Sequence, residues 1–217
     1  MNKTLIILFG APGSGKGFLG DCIKQEIISQ NIVSDSQIGY ISTGDLLRAE
    51  VASNSPLGQQ ISQIITSGKL VSDDIVDTLV EKALNGEEQI VFVDGYPRTP
   101  SQLDNIISIA SKKGIELVSI KRDTPTELIL KRVQKRRVCE SCKATHSVDD
   151  GKCPKCGGKS LIRKDDAVIE KRLEEYEQNT APIWEDVKEA SQKNITVDGS
   201  IEATNASKYI VATLFGC

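Results

Sequence analysis

The 217-residue sequence predicts an α/β fold: a five-stranded parallel sheet, helices on its faces and a small cysteine-bearing insert. Three observations carry this. Short apolar runs alternate with segments whose apolar residues recur every three or four positions. The first run breaks directly into a glycine-rich turn. From Val138 to about Lys164, apolar periodicity gives way to Cys, Gly and Lys, the composition of an inserted small domain.

The elements follow in order. Thr4 to Phe9 is an apolar run that reads as a buried strand. Gly10-Ala11-Pro12-Gly13-Ser14-Gly15-Lys16 follows at once, and Leu19, Cys22, Ile23 and Ile27 then recur at helical spacing. Strand, glycine-rich turn and helix in this order make a phosphate cradle. The glycines let backbone N–H groups converge on an anion, the helix start adds its positive dipole end, and Lys16 supplies a mobile cation. This is P-loop spacing, with Gly17 where Ser or Thr usually follows the lysine, and then Phe18.

Ile38 to Ile41 reads as a second strand. Leu57, Ile61, Ile64 and Ile65 form one helical stripe, and Ile75, Val76, Leu79, Val80 and Ala83 form the next. Ser72 with Asp73-Asp74 is a start signal, and Gly86 a stop. Ile90 to Val93 is a continuous apolar run, as expected of a strand buried on both faces. A helix from Ser101 to about Lys113 ends at Gly114. Leu117 to Ile120 is a strand, and Pro125 opens a helix carrying Leu128, Ile129 and Val133. A helix around Ile169 to Gln178, a strand from Ile195 to Val197 and a helix from about Ile201 complete the alternation.

The insert holds four of the six cysteines, as Cys139-x-x-Cys142 and Cys153-x-x-Cys156, ten residues apart. Two such pairs on a short hairpin suit tetrahedral Zn²⁺ with a closed, structural shell. The segment has too little apolar material for a core, so metal binding would supply folding energy. Cys22 reads as core packing and Cys217 as a bystander.

Composition bounds the function. Hydrophobic residues make up 39% and charged residues 26%, the balance of a soluble globular chain. A net charge of −3 argues against a broad grip on nucleic acid, although Lys131-Arg132 and Lys135-Arg136-Arg137 are locally basic. No apolar stretch approaches membrane-spanning length, and the N-terminal run is too short for a signal peptide. The expectation is a cytosolic protein with neither a nucleic-acid nor a membrane partner.

Six separated motifs together resemble adenylate kinase in its long form, with a zinc-bearing lid. They are Gly10 to Lys16, Thr43-Gly44-Asp45-Leu46-Leu47-Arg48, Gly68-Lys69-Leu70-Val71, Asp94-Gly95-Tyr96-Pro97-Arg98-Thr99 with Gln102, Arg136-Arg137-Val138-Cys139, and Arg163-Lys164-Asp165-Asp166. The resemblance spans nearly the whole chain. It implies the nucleoside monophosphate kinase fold, a monomer, and reversible phosphoryl transfer from MgATP to AMP, giving two ADP. Such a reaction needs positioning and charge neutralisation more than a nucleophile. It implies a core of residues 1–41, 72–133 and 172–217, an acceptor segment at 42–71 and a lid at 134–171.

The resemblance also implies residue roles. Gly13, Ser14, Gly15, Lys16, Gly17 and Phe18 hold the donor phosphates. Arg132 packs on the donor adenine, with Thr145, His146 and Ser200 near the donor. Arg48 and Arg98 grip the acceptor phosphate, while Arg136, Arg163 and Arg172 close over the reacting groups. Thr43 and Gln102 read the acceptor base in a pocket lined by Lys69, Leu70, Val71, Gly95, Tyr96 and Pro97. Asp94 orients the hydration shell of Mg²⁺. Asp165 and Asp166 either pair with lid arginines or cap the helix that follows.

Three positions depart from the family pattern. Phe18 replaces a threonine, Tyr96 a phenylalanine, and Arg163 and Arg172 are nine positions apart, two fewer than the motif has, which makes Lys171 a competitor of Arg172. Two rivals follow: a nucleoside monophosphate kinase using GMP, UMP or CMP as acceptor or GTP as donor, and a non-catalytic nucleotide- and zinc-binding module.

Overall fold

The computed structural model describes residues 3–142, 144–147, 151–162 and 164–216. In chain order the elements are β1 (Thr4–Phe9), α1 (Lys16–Ser29), β2 (Ile38–Ser42), α2 (Thr43–Ala52), α3 (Pro56–Ser67), α4 (Asp73–Ala83), β3 (Ile90–Asp94), α5 (Pro100–Lys113), β4 (Glu116–Asp123) and α6 (Thr126–Lys135). Three short strands follow, β5 (Arg137–Cys139), β6 (Thr145–His146) and β7 (Ser160–Leu161), then α7 (Ile169–Glu175), α8 (Trp184–Ala190), β8 (Lys193–Asp198) and α9 (Ala203–Phe215).

The main sheet has the order β2-β3-β1-β4-β8 and every pair is parallel. The expected five-stranded α/β fold is therefore present. All six residues of β1, the central strand, are buried. Its side chains alternate between two cores because successive strand residues face opposite sides. Leu5, Ile7 and Phe9 join the core beneath α4, α5 and α8, while Ile6 and Leu8 join Leu19, Ile23, Ile27 and Ile210 beneath α1 and α9. Fully burying one such side chain contributes about 1.5–3 kcal/mol, so both layers are held firmly against the strand that leads into the glycine-rich turn.

Local signals set the helix ends. Thr99 caps α5 by accepting a hydrogen bond from the Gln102 backbone N–H, and Gly114 closes that helix in the left-handed region. Ser55 caps α3, with Pro56 at its first position. Elements not set out from the sequence are α2, inside the Thr43–Arg48 motif, and α8, built on Trp184 and Val187. β4 extends past its apolar run, through Lys121, Arg122 and Asp123. Cys22 packs partly buried against the α1 core, and Cys217 lies outside the described residues.

The insert is a separate three-stranded antiparallel sheet, β6-β5-β7. Its strands are two or three residues long, too short to bury a core of their own. The four cysteines gather there instead, with Cys139 and Cys153 buried.

Candidate active site

Three strand ends meet at one edge of the sheet. β1 runs into the Gly10–Gly15 turn, β3 ends at Asp94, and β4 ends beside the turn that follows β8. In parallel α/β sheets ligands bind outside the carboxyl ends of the strands. An open cleft lies here, lined by Gly10, Lys16, Arg48, Arg98 and Arg172 among others.

The glycines of the turn are demanded by close approach. A Cβ at Gly10 would sit 2.6 Å from the Arg122 carbonyl oxygen, and one at Gly17 would sit 2.9 Å from Asp94 Oδ2. Gly15 caps α1 without a side-chain acceptor, and the first turn carries no acidic residue. The helix thus offers its orphan N–H groups and positive end to an incoming anion.

Lys16 Nζ lies 3.3 Å from the Ala11 carbonyl oxygen and 3.8 Å from Asp94 Oδ1. Its pKa falls from 10.5 to about 8: burial is the main cause, Asp94 opposes it, and the charges of Arg98, Arg172 and Arg136 add to it. Cations from three separate stretches of chain therefore converge on the turn. Asp94 is the carboxylate among them, at a strand end beside the phosphate cradle, a placement that suits Mg²⁺ held through its waters.

Four of the arginines have positioning partners. The Arg98 guanidinium donates through Nε to the Gly95 carbonyl at 2.7 Å, and its backbone N–H donates to Gln102 Oε1 at 2.8 Å. Arg136 forms a two-pronged pair with the buried Asp166, one prong being Nε to Oδ2 at 2.9 Å. Arg132 spans two elements, donating to the Ser14 carbonyl at 3.0 Å and the Gly199 carbonyl at 2.7 Å. Arg48 is paired with Asp45. Arg172 lines the cleft, whereas Lys171 is exposed and does not line it. Arg163 lies outside the described residues, as do the side chains of Lys164 and Asp165.

Lys69, Leu70, Val71, Gly95, Tyr96 and Pro97 line the cleft as one group. Thr43 and Gln102 are both 2% exposed, and their polar groups are engaged within the protein. Thr43 donates to the Gly95 carbonyl at 2.9 Å; Gln102 accepts from Arg98 and donates to Asp73 at 2.7 Å. Each keeps capacity for a base: the Thr43 hydroxyl can still accept, and the Gln102 amide has a second N–H and a second oxygen lone pair. The extra hydroxyl of Tyr96 is used inside as well, donating to Asp77 at 2.6 Å, and burial with that bond pushes its pKa up.

Phe18 is 64% exposed, so its ring is no part of the core. Ser200 is exposed, its backbone N–H donating to Asp198 Oδ1. Thr145 is exposed in β6, and His146 meets Ser160 Oγ at 2.9 Å; neither lines the cleft. Sequence reading missed Glu175, at the end of α7, and Tyr176 and Thr180, which line the cleft from a π-helical turn at Tyr176–Thr180. Such turns shift side chains off the 3.6-residue spacing and escape a periodicity search.

In the insert, the sulfurs of Cys139, Cys142, Cys153 and Cys156 lie within 4.8 Å of one another. Cys139 and Cys156 are 3.4 Å apart and Cys142 and Cys153 are 3.7 Å apart, too far for disulfides. Zn–S bonds of about 2.3 Å put tetrahedral sulfurs about 3.8 Å apart, so the donor set fits structural zinc. The Cys142 backbone N–H points at the Cys139 sulfur and is the main cause lowering that thiol's pKa, while the neighbouring thiols push Cys156 up.

Comparison with known proteins agrees with this geometry. A family model described as adenylate kinase matches residues 8–192. The chain is 33% identical to the adenylate kinase of Thermosipho melanesiensis over 217 residues, covering 95% of this chain and 97% of the relative. It is 35% identical to that of Petrotoga mobilis over 214 residues, 94% of each chain, and 34% identical to that of Pyrococcus horikoshii over 187 residues, 82% and 81% of the two chains.

Proposed function

The chain belongs to the adenylate kinase family, and from that premise we propose how its residues divide the work of moving a phosphoryl group reversibly from MgATP to AMP. The observation that carries this reading is the convergence of Lys16, Arg98, Arg136 and Arg172 on one glycine-rich turn. Two polyanions must meet end to end there, and fixed cations offset their repulsion and the charge that spreads over the transferred group.

The loop N–H groups, Lys16 and the backbone of Phe18 hold the donor phosphates, with Arg132 against the donor base and Ser200, Thr145 and His146 around it. Arg48 and Arg98 hold the acceptor phosphate. Arg136, Arg163 and Arg172 close over the reacting groups, and the pair with Asp166 keeps Arg136 aimed at them. Asp94 would steady the Mg²⁺ that comes with ATP through its waters, and the ion would supply charge neutralisation at the phosphates. The acceptor base sits against Lys69–Val71 and the Gly95–Pro97 turn. Residues 42–71 and 134–171 act as lids that exclude water before transfer, on a core of 1–41, 72–133 and 172–217. No helix among the described residues is long and apolar enough to cross a membrane; we place the enzyme in the cytosol as a monomer.

A coupled assay for ADP tests the activity. ATP with AMP is expected to give a specificity constant at least about tenfold above ATP with CMP, UMP or GMP, since a mismatched base leaves the remaining hydrogen-bonding capacity of Thr43 and Gln102 unpaired. Equal constants for all acceptors would defeat the AMP assignment, and no ADP from any acceptor would defeat the kinase reading.

Phe18 yields a further expectation. Phe18→Thr is expected to tighten MgATP binding by about tenfold, through one hydrogen bond from a hydroxyl to a charged phosphate. The melting temperature should stay unchanged, because the ring that is lost is 64% exposed. Titration calorimetry and thermal melts on the one variant check both; unchanged affinity would show that the cradle does not need this hydroxyl.

A further inference from the structure

Arg122 is a charged residue near the end of β4, and only 4% of it is exposed. Its Nη2 donates to the Ile201 carbonyl at 2.9 Å and to the Gly199 carbonyl at 3.3 Å. Its Nε and Nη1 have no hydrogen-bond partner among the described residues, and no ion pair is formed there. The charged groups that act on it are Arg132, a like charge, and Asp198, an opposite one; burial and Arg132 lower its pKa.

Its position is specific. A Cβ at Gly15 would lie 3.7 Å from Arg122 Nε and 3.7 Å from Arg132 Nη1. Both guanidiniums hold the same Gly199 carbonyl. Arg122 thus sits under the last glycine of the phosphate turn, against the arginine assigned to the donor base and against the turn at 199–201. A buried guanidinium beside a second one, with no carboxylate at contact distance, opposes folding. An arriving polyanion reverses that balance, since opposite charges in a low-dielectric setting attract over several ångströms.

We propose that Arg122 is a positioning residue for the donor nucleotide: its buried charge favours the triphosphate from beneath Gly15 and fixes Arg132 and the 199–201 turn around it. It acts through the loop and its neighbours and does not touch the substrate. This rests on the assignment of Gly13–Phe18 and Arg132 to the donor.

Two variants of the zinc-loaded, full-length enzyme separate charge from scaffolding. R122Q keeps N–H donors for the carbonyls of Gly199 and Ile201 but has no charge; R122K keeps both. R122Q is expected to raise KM for MgATP about tenfold, with KM for AMP and kcat within about twofold of wild type. It is also expected to lose most of the MgATP-induced rise in melting temperature. R122K is expected to recover most of the loss. Equal effects of the two variants, no effect of either, or parallel changes in both KM values would overturn the proposal. So would an R122Q chain that does not fold beside a folded R122K, because the charge would then be structural. A wild-type enzyme that makes no ADP from MgATP and AMP would instead mark a failure of the donor assignment itself.

Discussion

Lys16→Ala is expected to lower kcat for ADP formation by about 10²–10³-fold while the protein stays folded. The scale is that of removing one preorganised donor from a buried, charge-stabilising site. Lys16 is the mobile cation of the loop, 16% exposed, within 3.8 Å of Asp94 and inside the field of three arginines. Arg98 and Arg136 are tied to Gly95 and Asp166 and are not free to take its place. The fold should not suffer. Lys16 titrates at about 8 when folded against 10.5 as a free side chain. Between those values the unfolded chain binds more protons, so stability rises with pH across that window. Below it, holding the lysine charged costs the fold roughly 3 kcal/mol. The variant should therefore melt at the wild-type temperature or above at pH 7. Wild-type affinity for MgATP should fall as the pH passes about 8, and the variant should lack that step. Steady-state kinetics and a thermal melt at several pH values check all three. Near-wild-type turnover would remove Lys16 and its loop from the donor site.

What could be read in the sequence was what obeys a local rule. The order of strand, glycine turn and helix marked Gly10 as the start of a phosphate turn, and the structure shows what a Cβ there would strike. The paired C-x-x-C units gave the metal site because ligand spacing is a local constraint. Other features depend on contacts remote in sequence. Nothing near Gln102 says that both ends of its amide face inward, toward Arg98 and Asp73. The π-helical turn that carries Tyr176 and Thr180 to the cleft breaks the very periodicity by which helices are found. Arg122 was hidden differently: a charge after an apolar run reads as the end of a strand, yet β4 continues through it and the side chain is buried under the loop. Phe18 could be either a packing residue or a departure within the site until its exposure was known.

Removal of zinc is expected to unfold the insert and to abolish most of the activity while leaving the main sheet intact. Three strands of two or three residues cannot hold a fold by their ladders alone, and the buried residues there include the ligands Cys139 and Cys153 themselves. Metal binding to such a site is folding free energy, on the order of 10 kcal/mol for isolated zinc modules, and only part of it reaches the rest of the chain. A loss of a few kcal/mol at the hinge between insert and core would lower the melting temperature by about 10 °C in a protein of this size. Activity falls because Arg136 stands where α6 passes into β5. Its partner Asp166 lies on the returning chain, so the two are brought together by the closed insert. Purified protein should contain about one equivalent of zinc by elemental analysis. A strong chelator, or Cys142→Ser, should lower the melting temperature and kcat together while far-UV circular dichroism keeps the signal of the α/β core. The sheet keeps that signal because its two cores draw no residue from the insert. Metal-free protein that melts and turns over as before would show that the four sulfurs hold nothing the enzyme needs.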